Sequence, residues 1–246
     1  FIPYLQPLYS IQYDHVYGAE VLVRKLDPHG NIHPPVEFIK VMEQEHMISM
    51  VDLEMLRQSC QLLQKWKMQW PDLVLNVNFS RNTLTEPDYL AQVDKIFAET
   101  GVDPRRLIFE ITESSQGIQL ESLSSLLDEL KQRGVTIAVD DLGTEAACLE
   151  MLYLPQISVA KIDRSLICKA EHSPREQTVI RYLIDLCHDL DMRCVAEGIE
   201  TDSQIELLKQ LGCDRLQGFK IGKPMPAEAF FANFNPKAVR EKNITK

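Results

Sequence analysis

No block of basic residues occurs anywhere in this chain. Its 26 lysines and arginines are dispersed among 36 aspartates and glutamates, leaving a formal charge of −10. A surface made to coat DNA or RNA needs clustered positive charge, so nucleic-acid binding is not expected. A small phosphorylated ligand is not excluded, because carboxylates hold divalent cations and a cation inverts the local field. Closely spaced cysteine pairs are missing too. The six cysteines, Cys60, Cys148, Cys168, Cys187, Cys194 and Cys213, are scattered without a CxxC. That argues against a zinc site or disulfide framework and for structural thiols in a reducing, cytoplasmic setting. Cys187 and Cys194 read as core or helix-face positions. No apolar run approaches a membrane span, and the amino end has no basic-then-apolar signal pattern. Neither GxGxxG after a first strand nor GxxxxGK[ST] is present, so dinucleotide and P-loop binding have no support. The chain opens on Phe1-Ile2-Pro3-Tyr4 without an initiating Met. The expectation is a domain of a longer protein whose other parts are regulatory or membrane-bound.

What is present is ordinary for a globular α/β protein: 45% apolar and 25% charged residues in a chain of 246. That length suits one large core, and α/β barrels commonly reach it as a single domain. Short β-rich runs recur at Tyr4 to Ile11, Ala19 to Arg24, Leu73 to Phe79, Leu107 to Ile111, Val135 to Val139, Val159 to Ile162, Arg193 to Ala196 and Leu216 to Phe219. Helical patterns separate them at Val51 to Trp70, Tyr89 to Thr100, Leu120 to Arg133, Gln177 to Leu190 and Ser203 to Gly212. In the third, Leu120, Leu123, Leu126, Leu127 and Leu130 recur at helical spacing and Gly134 supplies the stop. Strands alternating with helices predict a parallel sheet, and the number of units favours a closed (β/α) barrel over an open doubly wound sheet. The barrel is expected over residues 1–234, with a polar, loosely attached tail over 235–246.

Polar residues fall inside or at the ends of these apolar strands. Glu20 opens V21-L-V-R24, Asn78 sits late in L75-N-V-N-F79, and Glu110 lies within L107-I-F-E-I. Asp140 and Asp141 close T136-I-A-V-D-D, Lys161 lies in V159-A-K-I-D163, Glu197 ends C194-V-A, and Gln217 sits in L216-Q-G-F219. Two adjacent aspartates before a turn read equally well as the polar start of a loop. Carboxylates inside apolar strands, however, are costly unless paired, hydrogen-bonded or bound to metal. In a barrel the carboxyl ends of different strands converge on one mouth, so residues far apart in sequence meet there. A set of Glu, Asp and Asn oxygens without His or Cys is ligand chemistry for Mg²⁺ or Mn²⁺. Asp140 and Asp141 could each serve a different cation, or one could bridge two. Two ions roughly 3.5–4 Å apart activate a water and steady charge on a phosphoryl group. Lys161 would add an electrostatic clamp or orient the water. Asn78 has a structural alternative in satisfying backbone groups, Glu113 reads as a helix cap or a partner of a ligand, and Asp163 as a salt-bridge or turn residue. The pattern favours a metal-dependent barrel hydrolase acting on phosphate.

These residues, taken in order, resemble the EAL domain, the cyclic di-GMP phosphodiesterase fold. The resemblance runs from Tyr4-Leu5-Gln6-Pro7 to Lys223-Pro224-Met225-Pro226. It includes Glu20-Val21-Leu22-Val23-Arg24, Asn78-Phe79-Ser80, Glu110-Ile111-Thr112-Glu113 and Asp140-Asp141-Leu142-Gly143-Thr144. Lys161-Ile162-Asp163, Ala196-Glu197-Gly198-Ile199-Glu200 and Gln217-Gly218-Phe219 complete it. The resemblance implies that Glu20, Asn78, Glu110 and Asp140 coordinate one Mg²⁺ or Mn²⁺, with Asp140 bridging to a second near Asp141 and Glu197. It implies that Lys161 positions the attacking water, that Glu200 and Gln217 support the site, that Arg24 meets a phosphate, and that Gln6 lies near a guanine. It further implies hydrolysis of cyclic di-GMP to linear pGpG, a barrel with one antiparallel strand, a homodimer, and sensor or GGDEF-type domains in the full-length protein.

The chain also departs from that pattern. Val21 stands where the family has Ala, Lys25 where an aromatic often follows the Arg, and Leu142 where the family has Phe. After the aspartates the sequence runs D-D-L-G-T-E-A-A-C-L, from Asp140 to Leu149, so Glu145 replaces a Gly and adds a carboxylate. Family loops at this position are linked to metal-site order and dimer contact, so rate and regulation are the properties in question. The alternative to an active enzyme is a domain that binds cyclic di-GMP or a protein partner without turnover. Such domains usually lose an acid from the set, and none is missing here.

Overall fold

The computed structural model describes residues 1–111, 120–143, 150–171 and 173–236. Glu113, the loop residues Thr144 to Leu149 with Glu145 and Cys148, and all but the first two residues of the 235–246 tail lie outside the described residues. The described residues form ten strands: β1 (Ile2–Ser10), β2 (His15–Leu26), β3 (Ile32–His33), β4 (Val74–Phe79), β5 (Leu107–Ile111), β6 (Thr136–Leu142), β7 (Ile157–Ile162), β8 (Arg193–Ala196), β9 (Arg215–Gln217) and β10 (Met225–Pro226). Eight of them close a barrel in the order β1-β2-β4-β5-β6-β7-β8-β9, and β9 returns to β1. β1 is antiparallel to both its barrel neighbours, whereas the remaining neighbours pair in parallel. Chain connection explains the reversal. Only residues 11–14 link β1 to β2, with Asp14 in the left-handed region at φ 53°. Parallel strands need a crossover of about a dozen residues or more, so a link this short admits only an antiparallel pair.

β2 starts at His15 rather than Ala19, because His15 and Val16 pair with Ser10 and Tyr9 of β1, and Gly18 lies within the strand. A Cβ at Gly18 would lie 2.4 Å from the backbone oxygen of Val74, so glycine is what lets β2 and β4 approach at that point. Other boundaries differ from expectation as well, three of them near the site or the long helix. The long helix spans Ile48–Trp66, its last apolar contact at Trp66 being followed by turns through Trp70. β6 continues past both aspartates to Leu142, and β9 stops at Gln217, leaving Phe219 in the following turn and 52% exposed.

The helices Ile48–Trp66, Tyr89–Thr100, Leu120–Gln132, Pro174–Asp189 and Asp202–Gln210 lay apolar stripes against the outer face of the strands. Local chemistry sets their ends. Thr201 and Gln204 form a capping box, Ser173 caps the helix that begins at Pro174, and Gly101 at φ 64° ends Tyr89–Thr100. Inside the barrel a second, smaller apolar cluster joins Leu8, Ile108, Ala138, Val159 and Val195, with Tyr17 and Val74 packed on it. Side chains two apart on a strand share a face. The same inward rows therefore carry Gln6, Glu110, Asp140, Lys161 and Glu197, each two positions from a member of this cluster. The apolar layer is a floor, and the polar residues stand on it. No helix among the described residues is long and apolar enough to cross a membrane.

Candidate active site

Lys161 stands at the centre of the polar layer, 1% exposed. Its Nζ lies 2.7 Å from Glu197, 2.9 Å from Glu110, 3.1 Å from Asp140 and 3.5 Å from Glu20. These partners come from β2, β5, β6 and the end of β8, which is what the barrel does for residues so distant in sequence. Burial alone would push the Lys161 ammonium down, but the four carboxylates hold it well above the usual lysine range. Glu110 is fully buried and accepts a hydrogen bond of 2.6 Å from Asn76 Nδ2. Burial, with the neighbouring Glu20 and Asp140 charges, raises Glu110 well above an ordinary carboxylate against the pull of Lys161. For Glu20 burial pushes upward, yet Lys161 and the hydrogen bonds from Gln217 (2.5 Å) and Asn78 (2.8 Å) leave it below the usual value. Gln217 Nε2 also donates to Gln6 Oε1 at 3.3 Å.

A β-bulge shapes the paired aspartates. Val139 pairs with Ala160 and Leu142 with Ile162, so β6 spends one more residue than β7 over this stretch. Asp141 absorbs the extra length in the left-handed region at φ 55°, and its N–H donates to Asp140 Oδ1 at 3.0 Å. Adjacent residues of a regular strand face opposite sides. Here one carboxylate oxygen from each of Asp140, Asp141 and Glu197 lies within 4.8 Å of the others. Burial and the Asp140 charge raise Asp141 to about 6, while burial, opposed by Lys161 and assisted by Asp140, raises Glu197 to about 8.

One ammonium thus faces the acids of Glu20, Glu110, Asp140, Asp141 and Glu197. The excess negative charge must be met by protons or by cations. The donors are all oxygen, and the buried Oδ1 of Asn76 and Oε1 of Gln217 have no hydrogen-bond partner among the described residues. This donor set fits a hard divalent cation.

A cavity of about 230 Å³ opens over the group, lined by Gln6, Glu20, Asp140, Lys161, Glu197 and Gln217 among others. Glu200 and Arg164 form its rim, paired at 2.7 Å. Sequence reasoning missed Arg164, although it directly follows Lys161-Ile162-Asp163. Gly198, at φ 67°, has room only for hydrogen there, since a Cβ would meet the Arg164 stem at 2.2 Å. Asn76 was missed as well, and its signal was the two-residue spacing from Asn78. Asp163 caps the helix Arg164–Ala170, accepting from Ser165 N–H at 2.8 Å. Arg24 is not brought into the acidic group. Its Nη1 donates to Val23 O at 2.8 Å, and its guanidinium lies 5.2 Å from the centre of the Tyr4 ring. A second cavity of about 300 Å³ is lined by Asn78 together with Leu22, Ile39, Val51 and Asp52. The described cysteines are free thiols, with Cys187 and Cys194 in the core and Cys168 exposed.

An eight-stranded barrel with one reversed strand and a carboxylate cluster at its mouth that could hold a cation defines the class. The chain belongs to the EAL domain family, whose profile matches residues 1–224. It is 31% identical over 230 residues to the signaling protein YkoW of Bacillus subtilis strain 168, covering 94% of this chain and 29% of that protein. It is 32% identical over 219 residues to the bifunctional diguanylate cyclase/cyclic di-GMP phosphodiesterase MucR of Pseudomonas aeruginosa PAO1, covering 88% of this chain and 32% of that protein. The chain therefore spans about a third of the length of these relatives. Among solved structures, the PaMucR phosphodiesterase in complex with c-di-GMP superposes with a TM-score of 0.85 at 30% identity, covering 93% of each chain.

Proposed function

We propose that this domain hydrolyses cyclic di-GMP to linear pGpG with Mg²⁺ or Mn²⁺, two ions per site. The observation that carries the reading is the placement of Lys161 against Glu20, Glu110, Asp140 and Glu197, beside the Asp140–Asp141–Glu197 group. In this proposal Glu20, Asn78, Glu110, Asp140, Asp141 and Glu197 hold the metal. When bound, the cations supply Lewis-acid polarisation of the phosphoryl oxygen and make water a stronger acid. Lys161 keeps its proton on Nζ and donates to the attacking water or to the charge that develops on phosphorus-bound oxygen. Gln217 fixes Glu20 and reaches Gln6, so a contact of Gln6 with a guanine is transmitted to the acid group. Glu200 supports the rim through Arg164, and Arg24 meets a phosphate by leaving the Val23 carbonyl. Glu20 lines the first cavity and Asn78 the second, and the hydrogen bond between them sets the two side by side, which suits an elongated ligand lying across β2 and β4.

We further propose that the barrel, 1–234, acts as a module of a longer protein with sensor or GGDEF-type domains. We also propose that it pairs with a second copy through the exposed Val179, Tyr182 and Leu186 of the helix Pro174–Asp189. The deciding experiment incubates the purified protein with cyclic di-GMP and each cation and resolves the nucleotides by chromatography. Appearance of pGpG supports the enzyme. Intact substrate despite measurable binding would turn the reading to a receptor without turnover.

A further inference from the structure

Arg215 is the charged residue that the active site does not use. It precedes Gln217 by two positions on β9. It therefore points inward in the layer that other strands fill with Ile108, Ala138, Val159 and Val195. Its guanidinium lies 4.4 Å from the centre of the Tyr17 ring. Arg215 Nη1 and the Tyr17 hydroxyl are shut off from water against each other, and neither makes a hydrogen bond of normal geometry among the described residues. The neighbouring acid is already committed. Asp214 Oδ1 takes Arg193 Nη1 at 3.0 Å, and its Oδ2 takes His188 Nε2 at 3.0 Å and the Cys194 N–H at 2.8 Å. Among the described residues Arg215 forms no ion pair.

A cavity of about 200 Å³ adjoins these groups at the amino-terminal mouth, lined by Arg215, Arg193, Tyr17, Tyr13 and Ser10 and also by Asp214, whose charge is shared by Arg193 and His188. The floor of Leu8, Ile108, Val159 and Val195 separates it from the acidic cluster. Arg215 is half-buried, and its Nη1 is closed off from water with only Tyr17 against it, so an anion would supply the opposite charge that this end of the guanidinium lacks. The planar guanidinium fork matches phosphoryl oxygens, and the tyrosine hydroxyl can donate to a third. Room for several waters, at about 30 Å³ each, is enough for a tetrahedral ion.

We propose that this mouth of the barrel binds a small phosphate-type oxyanion between Arg215 and Tyr17, at a site distinct from the acidic one. Inorganic phosphate is the probe, used in metal-free buffer so that the acidic site repels it. Phosphate should raise the melting temperature of the wild type, and calorimetric titration should give one site per chain, unchanged on protein dilution. Arg215→Met should bind at least about tenfold more weakly, the usual consequence of losing a charge-assisted pair. Without phosphate it should melt at or above the wild-type temperature, because an uncompensated charge has been removed. Tyr17→Phe keeps the ring under the guanidinium and should weaken binding several-fold. An equal response of wild type and Arg215→Met overturns the proposal, as does no response in either. Stabilisation that grows with protein concentration also overturns it, since an acid from a second copy would then fill the cavity.

Discussion

Lys161 Nζ lies 2.9 Å from Glu110 Oε2, and both side chains are shut inside the barrel. Neither could be placed there alone. Lys161→Met leaves Glu110, Glu20 and Asp140 facing one another without their shared cation. Breaking a buried pair from one side costs about 3–5 kcal/mol. Urea denaturation in metal-free buffer should show a loss near the lower end of that range, because Glu110 and Glu197 can take up protons. Turnover of cyclic di-GMP by the same variant should fall about a hundredfold or more, the scale for removing one donor from a developing oxyanion.

Glu20 separates ligand charge from hydrogen bonding. Glu20→Gln keeps an acceptor for Asn78 and Gln217 but removes a carboxylate, while Glu20→Ala removes both. Turnover should be abolished by Glu20→Ala and by chelation of the cations. In thermal melts, Mn²⁺ at a hundred times its dissociation constant should stabilise the wild type by about 2.7 kcal/mol. Glu20→Gln should need a higher cation concentration for the same gain.

The alternation of strand and helix was legible because it rests on local periodicity, the barrel because of the number of units and the chain length, and most of the acid group because its members fall inside or at the ends of apolar strands. Asp140 and Asp141 were legible as a pair but not as neighbours on one side, since that depends on a bulge against β7 and a left-handed Asp141. Lys161 was visible, but its contact with four acids is a property of barrel closure. The reversed β1 came from family resemblance, although the short link before β2 is its physical cause. Arg24, expected beside a phosphate, points its Nη1 at its own neighbour's carbonyl.

Gly18 tests the approach of β2 to β4. In Gly18→Ala the new methyl meets a backbone oxygen rather than a movable side-chain end. The strands must separate next to Glu20, so stability should drop by about 1–3 kcal/mol or more. Equilibrium denaturation measures this directly, and unchanged stability would show that β2 shifts freely.

Tyr182 tests the assembly. It is exposed at the middle of the apolar row Val179, Tyr182 and Leu186. Tyr182→Glu puts a charge into the proposed contact without touching the core. Sedimentation velocity at one concentration should show a dimer for the wild type and a monomer for Tyr182→Glu, with a nearly unchanged melting temperature.

Asp52 gives the clearest pH signature. Its Oδ2 accepts from Ser80 N–H at 2.9 Å and Thr83 Oγ1 at 2.6 Å. Burial nevertheless outweighs these bonds and raises the carboxyl to about 6 from an ordinary 3.8. The folded protein therefore binds more protons here than the unfolded chain between those two values. Stability from this group is fully present below about pH 4 and is lost as pH rises through about 6. The difference is roughly 3 kcal/mol at 1.36 kcal/mol per pH unit. Asp52→Asn retains an acceptor for Ser80 and Thr83 but cannot ionise. Urea denaturation of both proteins in metal-free buffer should show the wild-type-minus-variant difference falling from pH 4 to pH 7. A difference independent of pH would mean that Asp52 is charged throughout and that the second cavity is wetter than its apolar lining indicates.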